Sequence, residues 1–454
     1  MNAVWHKYLP GPLRRKLDGR HGFQAALGSS GWLVADKLVR MGGGLLIGVW
    51  VVRYLGPTQL GMLSYAGAFG GFFGTFAALG LDGLVVRQLL NHPDRDRDDA
   101  LLGTAFIMKF WGGIATFCIT LLAIWIARPN ENLIMLLVGI TAASFIFQSF
   151  NVIDFYFQST VESRYVVYAS NLAFLIISVA KIALLITSAS LIWFALLTLA
   201  EVIFTSGFMV LFYHQRGRSL KTWRYEGALA RELLQQGWPL ILSGLTIMIY
   251  MRIDQVMIGQ MLGDREVGLF AAAVRLSEVW YFIPGAIVTS VFPAIMRAKQ
   301  AGETVYRERI QKLYDLMTWL GLSVAIGTTV LAHWVIRVMY GAAYAESADV
   351  LSLQIWAGVF VCLGLAHSRW LIAEGLQKYL MYYTATGAVI NVVANLILIP
   401  EYGIKGAAIA TVLAQGVPNV IQYFLPRARA NLFQMLRSLT APTRYLKAAL
   451  AART

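Results

Sequence analysis

The chain is short of charge and nearly without cysteine. Charged residues make up 14% of its 454 positions and hydrophobic ones 58%, whereas a soluble globular domain carries about a quarter charged residues. That deficit excludes an ordinary soluble enzyme. Acids are the scarcer sign, with 24 Asp and Glu against 38 Lys and Arg. In a soluble protein such a surplus would point to nucleic acid. Here the basic residues sit beside long apolar runs, so anionic lipid headgroups are the expected partner and nucleic acid is not. The two cysteines, Cys118 and Cys362, both fall inside apolar runs. They exclude a disulfide framework and a cysteine metal site, and are read as inert packing residues. No connection between apolar runs is long enough to form a soluble catalytic domain. The first residues, MNAVWHKYLPGPLRRKLDGRHGF, are basic and broken by Pro and Gly, with no apolar core before a cleavage site. They are therefore not expected to be a removable signal peptide.

What the chain does have is long apolar segments. Twelve can be read, at 30–53, 58–81, 101–126, 133–157, 166–187, 190–213, 237–262, 268–296, 315–336, 350–373, 380–399 and 403–425. Each is long enough to cross a hydrocarbon core of about 30 Å at roughly 1.5 Å per residue. The fold class expected is an all-α integral membrane protein of about 12 transmembrane helices. Of the 38 Lys and Arg, 26 lie at the chain ends and in every second loop, 5 in the alternate loops or at the span ends beside them (Arg53, Arg128, Arg265, Arg337 and Lys405) and 7 deeper inside the segments. The richer side is read as cytoplasmic, which places both termini there.

The longest internal connection falls near the middle and divides the chain. The expected organisation is a basic N-terminal segment (1–29), an N-lobe (30–213), a cytoplasmic linker (214–236), a C-lobe (237–425) and a basic C-terminal tail (426–454). The halves echo each other. Gly31-Trp32 answers Gly237-Trp238, Leu55-Gly56 answers Leu262-Gly263, and Gly61 answers Gly268, at an offset of 206–207 residues. Equal span counts make this a parallel repeat about an axis along the membrane normal. Two pseudo-symmetric six-helix lobes built this way suit alternating access to a site between them. Pro239, Pro284, Pro293 and Pro418, with glycine runs at Gly42–Gly44 and Gly67–Gly74, are read as sites of close packing and bending.

A basic side chain near the bilayer centre costs about 2.5–3.5 kcal/mol on insertion scales, so seven of them need a reason. They are Lys37, Arg40, Lys109, Lys181, Arg252, Arg275 and Arg369, against the acids Asp36, Asp154, Glu201, Asp254 and Glu278. Asp36 and Arg40 are i, i+4 neighbours, Asp254 lies near Arg252, and Arg275 and Glu278 are i, i+3 neighbours. Arg369, close to a span end, reads as an interfacial anchor, and the stems of Lys109 and Lys181 are long enough to snorkel. Arg40 and Arg252 occupy counterpart first helices of the two halves. Together with Arg275, Lys37, Lys109 and Lys181 they are the candidate lining of a cationic cavity, suited to a phosphorylated lipid headgroup because guanidinium binds phosphate bidentately. Asp36, Asp254 and Glu278 are the candidates for proton or sodium coupling. Trp32, Tyr65, Trp280 and Tyr281 are candidates for stacking on sugar rings. The basic ends, with spacing such as LFQML and RYLKAAL, read as amphipathic attachments to the anionic inner leaflet.

Three stretches carry a family resemblance. LGLDGLVVRQLL (Leu79–Leu90), VGLFAAAVRLSEVWYFIPGAIVTSVFPAI (Val267–Ile295) and IPEYGIKGAAIATVLA (Ile399–Ala414) resemble polysaccharide flippases, the O-antigen and capsule branch of the multidrug/oligosaccharidyl-lipid/polysaccharide exporter superfamily. The resemblance covers nearly the whole chain and supplies no catalytic residue. It implies a non-enzymatic flippase of the bacterial cytoplasmic membrane moving an undecaprenyl-diphosphate-linked oligosaccharide from the inner to the outer leaflet. Membrane lipids are the surroundings, glycan polymerase and chain-length enzymes the implied protein partners, and a proton or sodium gradient or the membrane potential the drive, with no cofactor. Two other readings stay open. A multidrug or metabolite exporter of the same superfamily would want an acidic cavity, and a membrane glycan polymerase or ligase would want a larger extracytoplasmic loop than 337–349.

Overall fold

The computed structural model describes residues 21–91, 94–376, 378–421 and 426–444, with side chains from residue 42 onward apart from 421–428 and 430. Among the described residues there is no strand. The first lobe comprises α1 (His21–Ala78), α2 (Asp82–Asn91), α3 (Arg95–Ala127), α4 (Asn132–Phe147), α5 (Val152–Ser159), α6 (Arg164–Ile186) and α7 (Leu191–Gln215). The second comprises α8 (Gly227–Met261), α9 (Asp264–Glu278), α10 (Phe282–Ala301), α11 (Glu303–Met339), α12 (Ser347–Gln354), α13 (Ala357–Ala373) and α14 (Lys378–Ile421), and α15 (Pro426–Arg437) follows it.

Ten helical stretches of the described residues are long and apolar enough to cross a bilayer. Two of them are hairpins. α1 breaks at Gly56 (φ 66) and α14 at Gly403 (φ 59), a backbone region that only glycine enters freely. In α14 the reversal is complete. A Cβ on Gly387 would lie 3.0 Å from the carbonyl oxygen of Ala414, whereas a straight helix would hold these residues about 40 Å apart. Counting each hairpin as two crossings recovers the twelve expected spans. The eighth span divides into α9 and α10 just before Pro284, and the tenth into α12 and α13. The expected linker is shorter than 214–236: α7 runs to Gln215 and α8 begins at Gly227.

We call the side carrying 216–226 the linker end and the other the far end. The apolar cores differ between them. At the far end one cluster joins both lobes, with Val52, Leu60, Tyr65 and Leu137 packed with Ile258, Phe270, Tyr344 and Leu351. At the linker end there are two cores. Leu84, Leu102, Ile153 and Tyr213 serve the first lobe, and Ile295, Ile310, Tyr314 and Trp370 serve the second. The cores are thus fused at one end and separate at the other, where the start of α8, through Leu233, joins the core of the first lobe.

The repeat has a physical axis. A Cβ on Gly61 would strike the carbonyl oxygen of Asp264 and lie 2.9 Å from the amide of Gly268. A Cβ on Gly268 would strike the carbonyl oxygen of Pro57 and lie 2.9 Å from the amide of Gly61. Pro57 and Asp264 are themselves repeat partners, so the contact is isologous, each lobe presenting the same surface to the other. The turn glycines match too, Gly56 with φ 66, ψ 174 and Gly263 with φ 100, ψ 176.

The C-terminal segment, expected as an amphipathic attachment to the leaflet, docks one of its faces on protein. Asn431, Met435 and Ser438 are buried against α11, where Tyr314 donates to Asn431 (2.9 Å), Thr318 bonds Ser438 (2.6 Å) and Arg444 pairs with Asp315 (2.7 Å). Phe433, Leu436 and Leu439 stay exposed on the other face. The N-terminal segment 1–20 and residues 445–454 lie outside the described residues.

Gly61→Ala or Gly268→Ala places a methyl against backbone that cannot yield, an overpacking that costs about 1–3 kcal/mol. Disulfide cross-linking between cysteines placed at the far ends of α1 and α9 should fall several-fold in either variant. Gly285→Ala, which meets open space, should match the wild type.

Candidate functional site

A cavity of about 810 Å³ lies between the lobes, walled by both arms of the α1 hairpin, by α6 and α7, and by α8, α9 and the start of α10. Small residues open it: Gly44, Gly48 and Gly67 on α1 leave room that larger side chains would fill. Its charged lining is Lys181, Arg252, Arg275 and Glu278, three cations to one carboxylate. Ser64, Thr141, Ser178, Thr198 and Gln255 add neutral hydrogen-bonding groups. Lys181 pairs with Glu201 at 3.7 Å and Arg252 with Glu278 at 3.5 Å. Arg275 reaches across the lobe interface, its Nη1 3.9 Å from the Cβ position of Gly48. Among the described residues it forms no ion pair.

The local pairings expected from sequence are replaced by longer ones. Glu278 pairs with Arg252 on the neighbouring helix, not with Arg275 one turn away. Asp254 is not beside Arg252 but buried inside the second lobe, where Asn395 (2.5 Å) and Thr411 (3.1 Å) donate to its two oxygens. Residues two apart on a helix point to different sides, and each finds the partner its own side presents. Lys109 does not line the cavity. It is buried in the first lobe, 3.1 Å from Asp82 and 5.0 Å from the Phe155 ring centroid. Arg369 lies 5.4 Å from the Phe292 ring centroid, also away from the cavity. The side chains of Trp32, Asp36, Lys37 and Arg40 lie outside the described residues.

The aromatic expectation also changes. Tyr65 is buried at the far end and Trp280 in the second lobe's core. Tyr281 lines a different chamber, and the aromatic lining of the central cavity is Phe174, Phe194 and Phe282. Large amphipathic rings pack into cores because each buries 150–250 Å².

That different chamber, about 270 Å³, lies within the second lobe and is lined by Asp254, Glu278, Gln354, Tyr281, Tyr383 and Thr411 among others. It has two carboxylates and no Lys or Arg in its lining. Glu278, Gln255 and Val274 line both spaces. Sequence reading singled out the charges but missed the neutral members. Asn391 and Asn395, four apart in an apolar span, were the available signal, since buried amides need partners.

The far end is closed by polar contacts between lobes. Arg128, after α3, bonds Asp264 (2.8 Å), the carbonyl of Gly259 and Glu131 (3.0 Å), and stacks 4.1 Å from the Tyr65 ring centroid. Gln260 donates to the Tyr65 hydroxyl at 2.6 Å. Arg53 donates to the carbonyls of Met339 (2.6 Å) and Val338, and the Tyr344 hydroxyl to the carbonyl of Val52 at 2.7 Å. Val52 and Gly259 are repeat partners, so the same carbonyl in each lobe is capped by a side chain of the other. Beside this closure Arg265 bonds Glu346 and holds that exposed carboxyl below its usual range.

Residues 50–349 match the model of a family described as polysaccharide biosynthesis protein. The chain is 27% identical over 203 residues to the probable flippase AglR of Haloferax volcanii, a match covering 42% of this chain and only 40% of that protein. Its fold is similar to that of the lipid II flippase MurJ in an inward closed conformation, with TM-score 0.70, 15% identity and 91% of this chain against 92% of that one. It is similar also to a multidrug resistance MATE family transporter of the MOP superfamily in an inward-facing conformation, with TM-score 0.66, 16% identity, and 88% against 96% of the chains. At these identities the structural likeness is one of fold.

Arg128→Ala removes the buried charge that bonds Asp264 and Gly259, and leaves Asp264 without that partner, a change of about 3–5 kcal/mol for a buried pair. A cysteine placed at Ser64 in a background lacking Cys118 and Cys362 should then react several-fold faster with an impermeant thiol reagent added from the far side. An unchanged rate would show that Arg128 does not hold the far end shut.

Proposed function

The chain belongs to the polysaccharide biosynthesis protein family, and we propose that it is a flippase for a lipid-linked oligosaccharide, working by alternating access through the inter-lobe cavity. The substrate proposed is an undecaprenyl-diphosphate-linked oligosaccharide crossing from the inner to the outer leaflet of a bacterial cytoplasmic membrane, for surface polysaccharide such as O-antigen. The observation that carries this reading is the cavity's charge: Lys181, Arg252 and Arg275 line it, and with Lys181 paired to Glu201 and Arg252 to Glu278, Arg275 is left without an ion pair among the described residues. Moving a diphosphate through a membrane is opposed by its desolvation. Guanidinium groups facing an enclosed cavity replace the lost water with charge-assisted hydrogen bonds. The volume suits the headgroup and the sugars next to it, within the usual range of small-ligand sites, while the polyprenyl chain stays in lipid.

The basic residues put the linker end on the cytoplasmic side in this reading. With that side negative, outward movement of two negative charges is favoured by roughly 4–5 kcal/mol per 100 mV. Proton or sodium coupling is assigned to Asp254 and Glu278, whose chamber has acceptors and no basic lining, with Asp36 as the remaining candidate. A cationic drug would meet repulsion in the central cavity, which argues against the exporter reading. The far-end connection between α11 and α12, residues 340–346, is too small to carry polymerase or ligase chemistry.

The test is flipping of a fluorescent undecaprenyl-diphosphate oligosaccharide in proteoliposomes. Arg252→Ala and Arg275→Ala should each slow it about 10–100-fold, as expected for a charged hydrogen bond of about 1.5–3 kcal/mol. Asp254→Asn should remove its dependence on an imposed sodium or proton gradient. Unchanged flipping in the double arginine variant, or transport of a cationic dye in its place, overturns the reading.

A further inference from the structure

Some neutral polar side chains of the central cavity are satisfied within their own helices. Thr141 donates to the carbonyl of Leu137 at 3.0 Å, and Thr198 to that of Phe194 at 3.3 Å. Gln255 is not. It is 6% exposed and lines the cavity, yet its amide makes no hydrogen bond among the described residues. A carboxamide has two N–H donors and an oxygen that accepts twice, and buried groups of that kind are nearly always bonded. Met248, Arg252 and Gln255 follow one another at i, i+4 and i+7 and form one stripe on the cavity. Gly259 continues that stripe, and its carbonyl takes the Arg128 bond that closes the far end. Gln255 therefore stands between the cations and the closure, roughly 4.5 Å along the helix from Arg252. On the opposite wall Ser178, 9% exposed, also makes no side-chain hydrogen bond among the described residues. Its level is fixed by α1, whose first arm runs toward the far end as α6 does. A Cβ on Gly44 would lie 3.7 Å from the Phe174 ring, and one on Gly48, a turn further, 3.9 Å from Arg275. Ser178, one turn beyond Phe174, is thus level with the Arg275 guanidinium.

We propose that Gln255 is a specificity-determining residue that reads the sugar joined to the diphosphate, and that the group it recognises is an acetamido substituent on the ring carbon next to the phosphate linkage. This rests on the reading of Arg252 and Arg275 as the diphosphate's contacts. The chemistry is one of matching. A carboxamide and an acetamido group each present an N–H beside a C=O, so they pair through two hydrogen bonds and leave neither buried group unbonded. A ring carbon bearing only hydrogen leaves the Gln255 amide as it stands. The spacing agrees, because that substituent and the phosphorus are only a few bonds apart, as Gln255 and Arg252 are one helical turn apart. Ser178 takes a ring hydroxyl of the same sugar from the first lobe, so the sugar is held by both lobes while the arginines of the second hold its phosphates. Gln255 lies on the closure side of the arginines. The sugar accordingly leads toward the far end and the diphosphate follows it. Gln255 also borders the second-lobe chamber, and a role confined to that chamber makes a different prediction.

The probes are two short-chain prenyl diphosphates, one carrying a 2-acetamido-2-deoxyhexose and the other the same hexose with hydrogen at that carbon. Binding of each to the full-length protein in nanodiscs is measured beside flipping of each in proteoliposomes. The wild type should bind the acetamido compound about 5–100-fold more tightly, the range for leaving a buried amide unpaired. Gln255→Met keeps the side chain's length and removes its hydrogen bonds. It should bind both compounds equally, at the affinity the wild type has for the 2-deoxy compound, which a misfolded protein would not preserve. Ser178→Ala should weaken both compounds by the same factor and keep the preference. A wild type without preference, or Gln255→Met with the preference intact, overturns the assignment. Equal weakening toward both compounds in Gln255→Met overturns it too, and marks a role in packing or in the second-lobe chamber. A preference that Gln255→Met abolishes, in a protein that flips neither compound, supports the assignment and overturns the flippase reading alone.

Discussion

The molecule depends on two helices being able to touch backbone to backbone. Gly61 and Gly268 cross so closely that neither tolerates a Cβ, and each abuts the first turn of the other's helix. This crossing fixes the repeat axis, brings the capped carbonyls of Val52 and Gly259 within reach of Tyr344 and Arg128, and fuses the apolar cores at one end. Small residues at helix crossings are the usual means of close approach in lipid, where no hydrophobic force presses helices together. Toward the linker end the second arm of α1 stays packed on the first half of α8, and the central cavity lies beside that contact. A larger residue at either glycine would alter the cavity without touching its lining.

Charge is sorted by depth into the second lobe. The surface facing the first lobe carries Arg252 and Arg275, the interior chamber carries Asp254, and Glu278 lines both spaces. Separating signs in this way is expensive in a low-dielectric medium unless each group has partners. Asp254 has two donors from α14, and Arg252 and Lys181 each have one carboxylate. What remains open is Arg275 toward the cavity, among the described residues, and the acceptor oxygens toward the chamber. The open cation and the open amide oxygens lie on opposite sides of one α8–α9 wall.

The architecture was legible because hydrophobic length is a one-dimensional signal. Twelve spans, the repeat offset and the helix breaks at Pro284 and Gly56 all follow from local composition. The identity of the cavity cations was legible for a related reason, since a basic residue deep in an apolar span is conspicuous. Their partners were not. Spacing rules see one helix at a time, so Arg275 was matched to Glu278 and Arg252 to Asp254. The actual pairs join α8 to α9 and α8 to α14. Lys109 looked like a cavity residue for the same reason, its partner Asp82 lying on a helix that the span list had treated as a loop. The docking of the C-terminal tail was not legible either: basic and apolar residues at helical spacing suit a leaflet, and Asn431 and Ser438, which set its contact with α11, stand outside that pattern.

The boundary between the lobes does not fall where the chain crosses between them. Residues 216–226 are held by the first lobe: Arg218 pairs with Asp98 at 3.2 Å, Trp223 donates to Tyr213 at 3.1 Å, and a Cβ on Gly103 would press on the backbone of Trp223 and Arg224. The beginning of α8 follows them, with Leu233 in the first lobe's core and Gly237 against the carbonyl of Leu79. By Asp254 the same helix belongs to the second lobe. Pro239 stands between these regions, inside the helix. It withholds a backbone hydrogen bond and crowds the preceding turn, so the helix bends most cheaply there. One helix therefore carries the anchor to one lobe, a proline where bending costs least, and in Arg252 and Asp254 a residue from each charged chamber.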